Sequence, residues 1–129
     1  MKLAYVDTSC LVAVAFDEPD TRGMIHHLGE CDRLFASNLL EAEFRSALHR
    51  EGVHEGADSL LRALSWLYPD RSLRPEIVRV LRNGYLRGAD LWHLACALYL
   101  KTRVKDLLFL TLDQRQHDAA MKLGFRTSG

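Results

Sequence analysis

Residues 3–16 read LAYVDTSCLVAVAF. Leu3–Val6 are largely apolar and run straight into Asp7, Thr8 and Ser9, and an apolar run resumes at Cys10. An apolar run this short, bounded by polar residues, has the length of a buried strand and not of a helix. Residues 8–16 then read as the helix that follows it. A carboxylate between two segments bound for the interior is costly unless something receives it. In open α/β sheets ligands bind beyond the carboxyl ends of the strands, and Asp7 stands at such an end.

Outward from this stretch the same alternation continues. Asp17-Glu18-Pro19-Asp20 reads as a turn, with Pro19 near the first position of a helix that runs to about Leu28 and closes at Gly29. Arg33–Ala36, RLFA, reads as a second strand, and Ser37 or Asn38 caps a helix running to about Glu51. A further helix is expected over 54–68, ending before Pro69. The segment YPDRSLRP (68–75) reads as irregular, with room for a short strand. Pro75 opens a helix that ends near Asn83-Gly84. ADLWHLACALYLK (89–101) is the most apolar helix, and LLFLT (107–111) is a buried strand. DQRQHDAAMKLG (113–124) reads as a helix stopped by Gly124, and FRT (125–127) as a final edge strand. Strands alternating with helices imply an α/β fold, with a short, mostly parallel sheet between helical layers and one domain over 1–129.

Hydrophobic residues at 48% and charged residues at 26% are ordinary for a globular chain. Cys10, Cys31 and Cys96 are odd in number and form no CxxC pair, so free thiols in a reducing compartment are expected and a zinc site is not. No signal-peptide pattern appears, and no apolar stretch approaches the roughly 20 residues that span a bilayer. A cytoplasmic location with no membrane association is expected. Net charge is zero but unevenly spread. Residues 1–61 hold 11 acids against 5 bases, and residues 62–129 hold 6 acids against 12 bases. Arginine outnumbers lysine 13 to 4, which suits bidentate contact with phosphate; solvated helix faces would give the same pattern.

Four acids stand out by position. Asp7 and Asp113 each follow a strand. Glu43 lies within the apolar stripe Leu39, Leu40, Phe44, Ala47 and Leu48, where an unpartnered carboxylate is costly. Asp90 heads the most apolar helix. Helix capping would account for Asp7, Asp90 or Asp113 taken singly, and Asp113 with Gln116 has capping-box spacing. Glu43, inside its helix, would need an arginine partner instead. Glu41 faces the opposite side and Asp118 lies one turn beyond Asp113; both read as surface acids. If the four acids meet at one point, their mutual repulsion calls for a divalent cation, and oxygen-only ligands select Mg²⁺ or Mn²⁺.

Four motifs in order resemble the PIN-domain family, specifically the VapC toxins of toxin–antitoxin systems. YVDTSCLVA resembles the family's opening strand and places Asp7, Thr8 and Ser9. ASNLLEAEFRSAL resembles its Ser-led helix with an inward Glu43, and LRGADLWHLACAL its Asp-x-x-His-x-Ala element at Asp90 and His93. FLTLDQRQHDAAMKLGF resembles the closing Thr-x-Asp element at Thr111 and Asp113. The further acid that some members carry just after the position of Asp90 is absent, since Leu91, Trp92 and His93 follow.

The resemblance implies a PIN-like three-layer sandwich and a metal-dependent endoribonuclease acting on structured or single-stranded RNA of the tRNA or rRNA class. Asp7, Glu43, Asp90 and Asp113 would be the catalytic and metal-holding residues, for Mg²⁺ or Mn²⁺. Thr8, Ser9, Thr111 and His93 would support them, with His93 equally readable as a packed, hydrogen-bonded side chain. Arg45, Arg82 and Arg87 would contact the RNA backbone. An antitoxin covering the acidic pocket and a homodimer formed through helices are implied as partners. Leu60, Leu61, Leu64 and Leu67 offer one apolar face that is equally readable as core. The competing reading is a non-catalytic α/β interaction domain whose acids are caps. A receiver-like phosphoacceptor fits less well, because it wants an acidic pair at the first strand and a lysine after the last.

Overall fold

A computed structural model describes residues 1–19, 21–53 and 55–127. Asp20, in the expected turn, and His54, at the expected start of the helix over 54–68, lie outside the described residues. The elements run β1 Leu3–Val6, α1 Thr8–Ala15, α2 Arg22–Glu30, β2 Arg33–Ser37, α3 Leu39–Arg50, α4 Ala57–Arg62, β3 Leu64–Leu67, α5 Arg74–Leu81, α6 Gly88–Lys101, β4 Leu108–Leu110 and α7 Gln114–Lys122. The strands form one parallel sheet in the order β3-β2-β1-β4.

Side-chain alternation along each strand builds the layers. Ala4 is in register with Leu34 on one side and Leu108 on the other, and Leu34 with Leu64; this row enters a core covered by α1, α2, α3 and α4. The next row, with Tyr5, Phe35 and Phe109, faces the opposite core, built mainly on α5, α6 and α7. Both faces of the short strands are therefore apolar, as a fully covered parallel sheet requires. Helix α6 supplies eight consecutive buried residues, His93–Leu100. No helix among the described residues is long and apolar enough to cross a membrane.

The expected helix over 54–68 is corrected. Only Ala57–Arg62 is helical, and Leu64–Leu67 is strand β3 at the sheet edge. Leucines at 60, 61, 64 and 67 satisfy a helical period, but Leu64 and Trp66 pack on one core and Leu67 on the other, which is the period of a strand. Pairing with the open edge of β2 decides between them. The face once readable as a dimer surface is therefore core, with Leu61 and Leu64 buried. The expected edge strand FRT reduces to a single bridge between Leu108 and Arg126. Helix α2 starts at Arg22, beyond Pro19, and continues through Gly29 to Glu30. Gly124, at φ 88°, does end α7 in the left-handed turn that favours glycine.

Candidate functional site

The chain leaves β1 toward β2 on one side and returns to β4 on the other, so the order reverses between β1 and β4. Such a switch point opens a crevice beyond the strands' carboxyl ends. Val6 and Leu110 are in register there, which sets Asp7 and Thr111 side by side.

Asp7 is almost fully buried. It precedes α1 but makes no side-chain cap to it, so capping does not explain it. Instead Oδ1 accepts Ser9 Oγ at 2.6 Å, and Oδ2 accepts Thr111 Oγ1 at 2.7 Å and Gln116 Nε2 at 2.8 Å. Ser9 Oγ also receives the amide of Leu112, and Thr111 Oγ1 that of Asp113, so the two hydroxyls tie the loop after β4 to the loop after β1. Burial pushes the Asp7 carboxyl up, against the pull of Ser9 and Thr111.

Asp90 is the third residue of α6, whose N-cap is Arg87, so Asp90 is no cap either. Its Oδ1 accepts Gln116 Nε2 at 3.0 Å, and its Oδ2 lies 3.8 Å from Arg87 Nε. Burial and the charge of Asp113 push its carboxyl above the usual range. One amide nitrogen thus joins Asp7 to Asp90. Asp113 is a true cap: its Oδ1 accepts the amides of Arg115 and Gln116. The capping box is only half made, because the Gln116 side chain turns inward to the two aspartates. Asp90 and Asp113 share a cleft of about 390 Å³ with Leu86, Arg87, Gln114 and Arg115. A hollow of about 420 Å³ beside Met1, Lys2 and Leu108 opens at the opposite ends of the strands and holds no such pair of joined acids.

Glu43 needs no arginine. Its Oε1 accepts Thr8 Oγ1 at 2.7 Å and His93 Nε2 at 2.7 Å. His93 Nδ1 meets Tyr5 Oη at 2.9 Å, and Tyr5 Oη accepts the amide of Ser37 at 3.2 Å. An ionised Glu43 only accepts, so Nε2–H faces it, and in the neutral ring with that tautomer Nδ1 accepts from the Tyr5 hydroxyl. Burial pushes the Glu43 carboxyl up, but the His93 and Thr8 bonds outweigh it and hold it below the usual range. His93 is therefore a buried, hydrogen-bonded side chain, and its bonds orient Glu43.

The expected site residues divide accordingly. Asp7, Asp90, Asp113, Ser9 and Thr111 gather at the crevice, and Glu43, Thr8 and His93 form an adjoining network through Thr8, the neighbour of Asp7. Among the described residues no three His, Cys, Asp or Glu side chains are close enough to hold a metal ion. The four acids do not close into one cluster: Asp7 and Asp90 meet at Gln116, Asp113 caps α7, and Glu43 bonds Thr8 and His93. The donors nonetheless suit a hard cation. They are all oxygen, two of them converge on one atom, and the buried Gln116 Oε1 beside them has no hydrogen-bond partner. Gln116 was hidden in the sequence by its cap spacing. Arg115 was missed as well, although it stands two residues past Asp113. Arg87 stands at the cleft and Arg82 is exposed at the end of α5, whereas Arg45 is held at 2.8 Å by both Glu41 and Asp58. Asp118 accepts Gln114 at the surface.

The chain matches the family model for the PIN domain over residues 4–122. It belongs to the PIN-domain family. No curated protein matches it.

Proposed function

We propose that this chain is a divalent-cation-dependent endoribonuclease of the VapC type, the toxin of a toxin–antitoxin pair. One observation carries the reading: the carboxylates of Asp7 and Asp90 meet on a single atom at the switch point of a parallel sheet. Membership of the PIN-domain family supports it. When bound, Mg²⁺ or Mn²⁺ would acidify a water and neutralise charge on the scissile phosphate. Asp7 and Asp90 would hold the cation, with Asp113 and Glu43 acting directly or through water. Ser9 and Thr111 keep Asp7 aimed at the crevice, and Thr8 and His93 do the same for Glu43. Arg87 and Arg115, at the cleft, would seat the RNA backbone, with Arg82 further out. Arg45, already paired twice, is the weakest of the expected RNA contacts. The reaction is hydrolysis of a phosphodiester to a 3′-hydroxyl and a 5′-phosphate. An antitoxin would silence the chain by covering the cleft, and a homodimer would use a surface other than the Leu61–Leu64 face.

A circular RNA tests the endonucleolytic claim, because only internal cleavage opens it. Linear product bearing a 5′-phosphate is expected with Mg²⁺, and an intact circle would contradict the reading. Calorimetric Mn²⁺ binding separates this from a non-catalytic interaction domain. Binding that is weakened in Glu43→Gln and lost in Asp7→Asn is expected of the enzyme, and no binding by the unaltered chain is expected of the domain.

A further inference from the structure

Gln116 is 1% exposed, on α7, and its amide nitrogen donates to Asp7 Oδ2 at 2.8 Å and Asp90 Oδ1 at 3.0 Å. Its oxygen, equally buried, has no partner. The NH₂ group therefore stands at hydrogen-bond distance from both carboxylates, the separation that a third ligand on a shared cation would keep from them. Rotation about the last side-chain bond exchanges amide nitrogen and oxygen within nearly the same volume. Turned over, Oε1 would stand about 2.8 to 3.0 Å from one oxygen of each aspartate. Adjacent ligands in an ideal Mg²⁺ octahedron are also about 2.8–3.0 Å apart, since each lies 2.0–2.1 Å from the ion. In either setting one end of the amide faces the unpartnered side, so the exchange forfeits no bond there.

We infer that Gln116 is an amide switch: its NH₂ ties Asp7 to Asp90 while no cation is bound, and its Oε1 becomes the third oxygen ligand when one is. The inference rests on the cation reading proposed above. It would set a third protein oxygen beside those of Asp7 and Asp90. It also gives the unpartnered buried oxygen a task.

Two measurements test it. In the unaltered chain, NMR should show the Gln116 side-chain NH₂ protons shifted downfield and slow to exchange without cation. Mg²⁺ should move both upfield and speed their exchange. If they stay fixed while the neighbouring amides of the site respond to Mg²⁺, the switch is wrong. Calorimetry with Mn²⁺ gives the second. Gln116→Leu, which has no ligand atom, should bind roughly tenfold or more weakly than the unaltered chain. Gln116→Glu, which keeps an oxygen, should bind at least as tightly. Unchanged or tighter binding by Gln116→Leu overturns the inference and leaves the cation reading standing. No Mn²⁺ binding by the unaltered chain overturns both. Should Gln116→Leu not fold, the NMR result and Gln116→Glu decide.

Discussion

At the scale of single residues, the site holds its carboxylates by hydrogen bonds from neighbouring side chains. Burial and the neighbouring Asp113 keep the Asp90 carboxyl above its ordinary 3.8. The folded chain then binds more protons than the unfolded one between that value and the raised one, so stability falls as pH rises through this window. Asparagine at 90 does not titrate. In EDTA, the stability of Asp90→Asn relative to the unaltered chain should therefore improve from about pH 4 to pH 7, read as urea midpoints. A difference that does not change with pH would contradict this. Glu43 has the opposite sign. Its carboxyl is held low by His93 and Thr8, and the stability it contributes is lost as pH falls. The Tyr5 hydroxyl, which serves both the Ser37 amide and His93, is a further test. Tyr5→Phe removes the partner of the Ser37 amide and of His93 Nδ1 in the interior and should cost about 1–3 kcal/mol in urea unfolding. A cost under about 0.5 kcal/mol would show that the bridge does not matter.

Much of this was legible in the residues. Asp7 after an apolar strand and Glu43 inside an apolar stripe each signal a buried acid that needs donors, and the structure supplies them. Partner identity was not legible. An arginine was expected for Glu43 and a histidine 50 positions away was found. Gln116 was least legible. The spacing from Asp113 satisfies a capping box, and only the packing of α7 against α6 shows that the side chain points to the aspartates instead.

At the scale of elements, the strand β1, the helices α3 and α6 and the strand β4 followed directly from apolar periodicity. Segment 57–67 did not, because a short apolar run fits a helix and a strand alike. What decides is outside the segment: an open edge on β2 and two cores to fill. As an edge strand, Leu64–Leu67 should show alternate slow and fast amide hydrogen exchange, with only the amides turned toward β2 protected. Uniform protection from 57 through 67 would restore a helix. Leu64→Ala, at a buried position in the core under α3 and α4, should cost about 2–5 kcal/mol.

At the scale of the molecule, the parallel sheet order places the acids and the arginine-bearing cleft at one end. Strand order is set by pairing partners far apart in sequence, so the alternation of elements gave the α/β class but not the position of β3. RNA affinity resting on Arg87 and Arg115 should fall with added salt, and Arg115→Ala should flatten that slope by about one unit while leaving the fold intact. The central claim is that these four acids make a cation-dependent ribonuclease. Its most direct test is cleavage of a pooled tRNA and rRNA sample in three arms: the chain with Mg²⁺, the chain with EDTA, and Asp7→Asn with Mg²⁺. Cleavage in the first arm alone is the expected result; equal cleavage in all three, or none in any, would contradict the account.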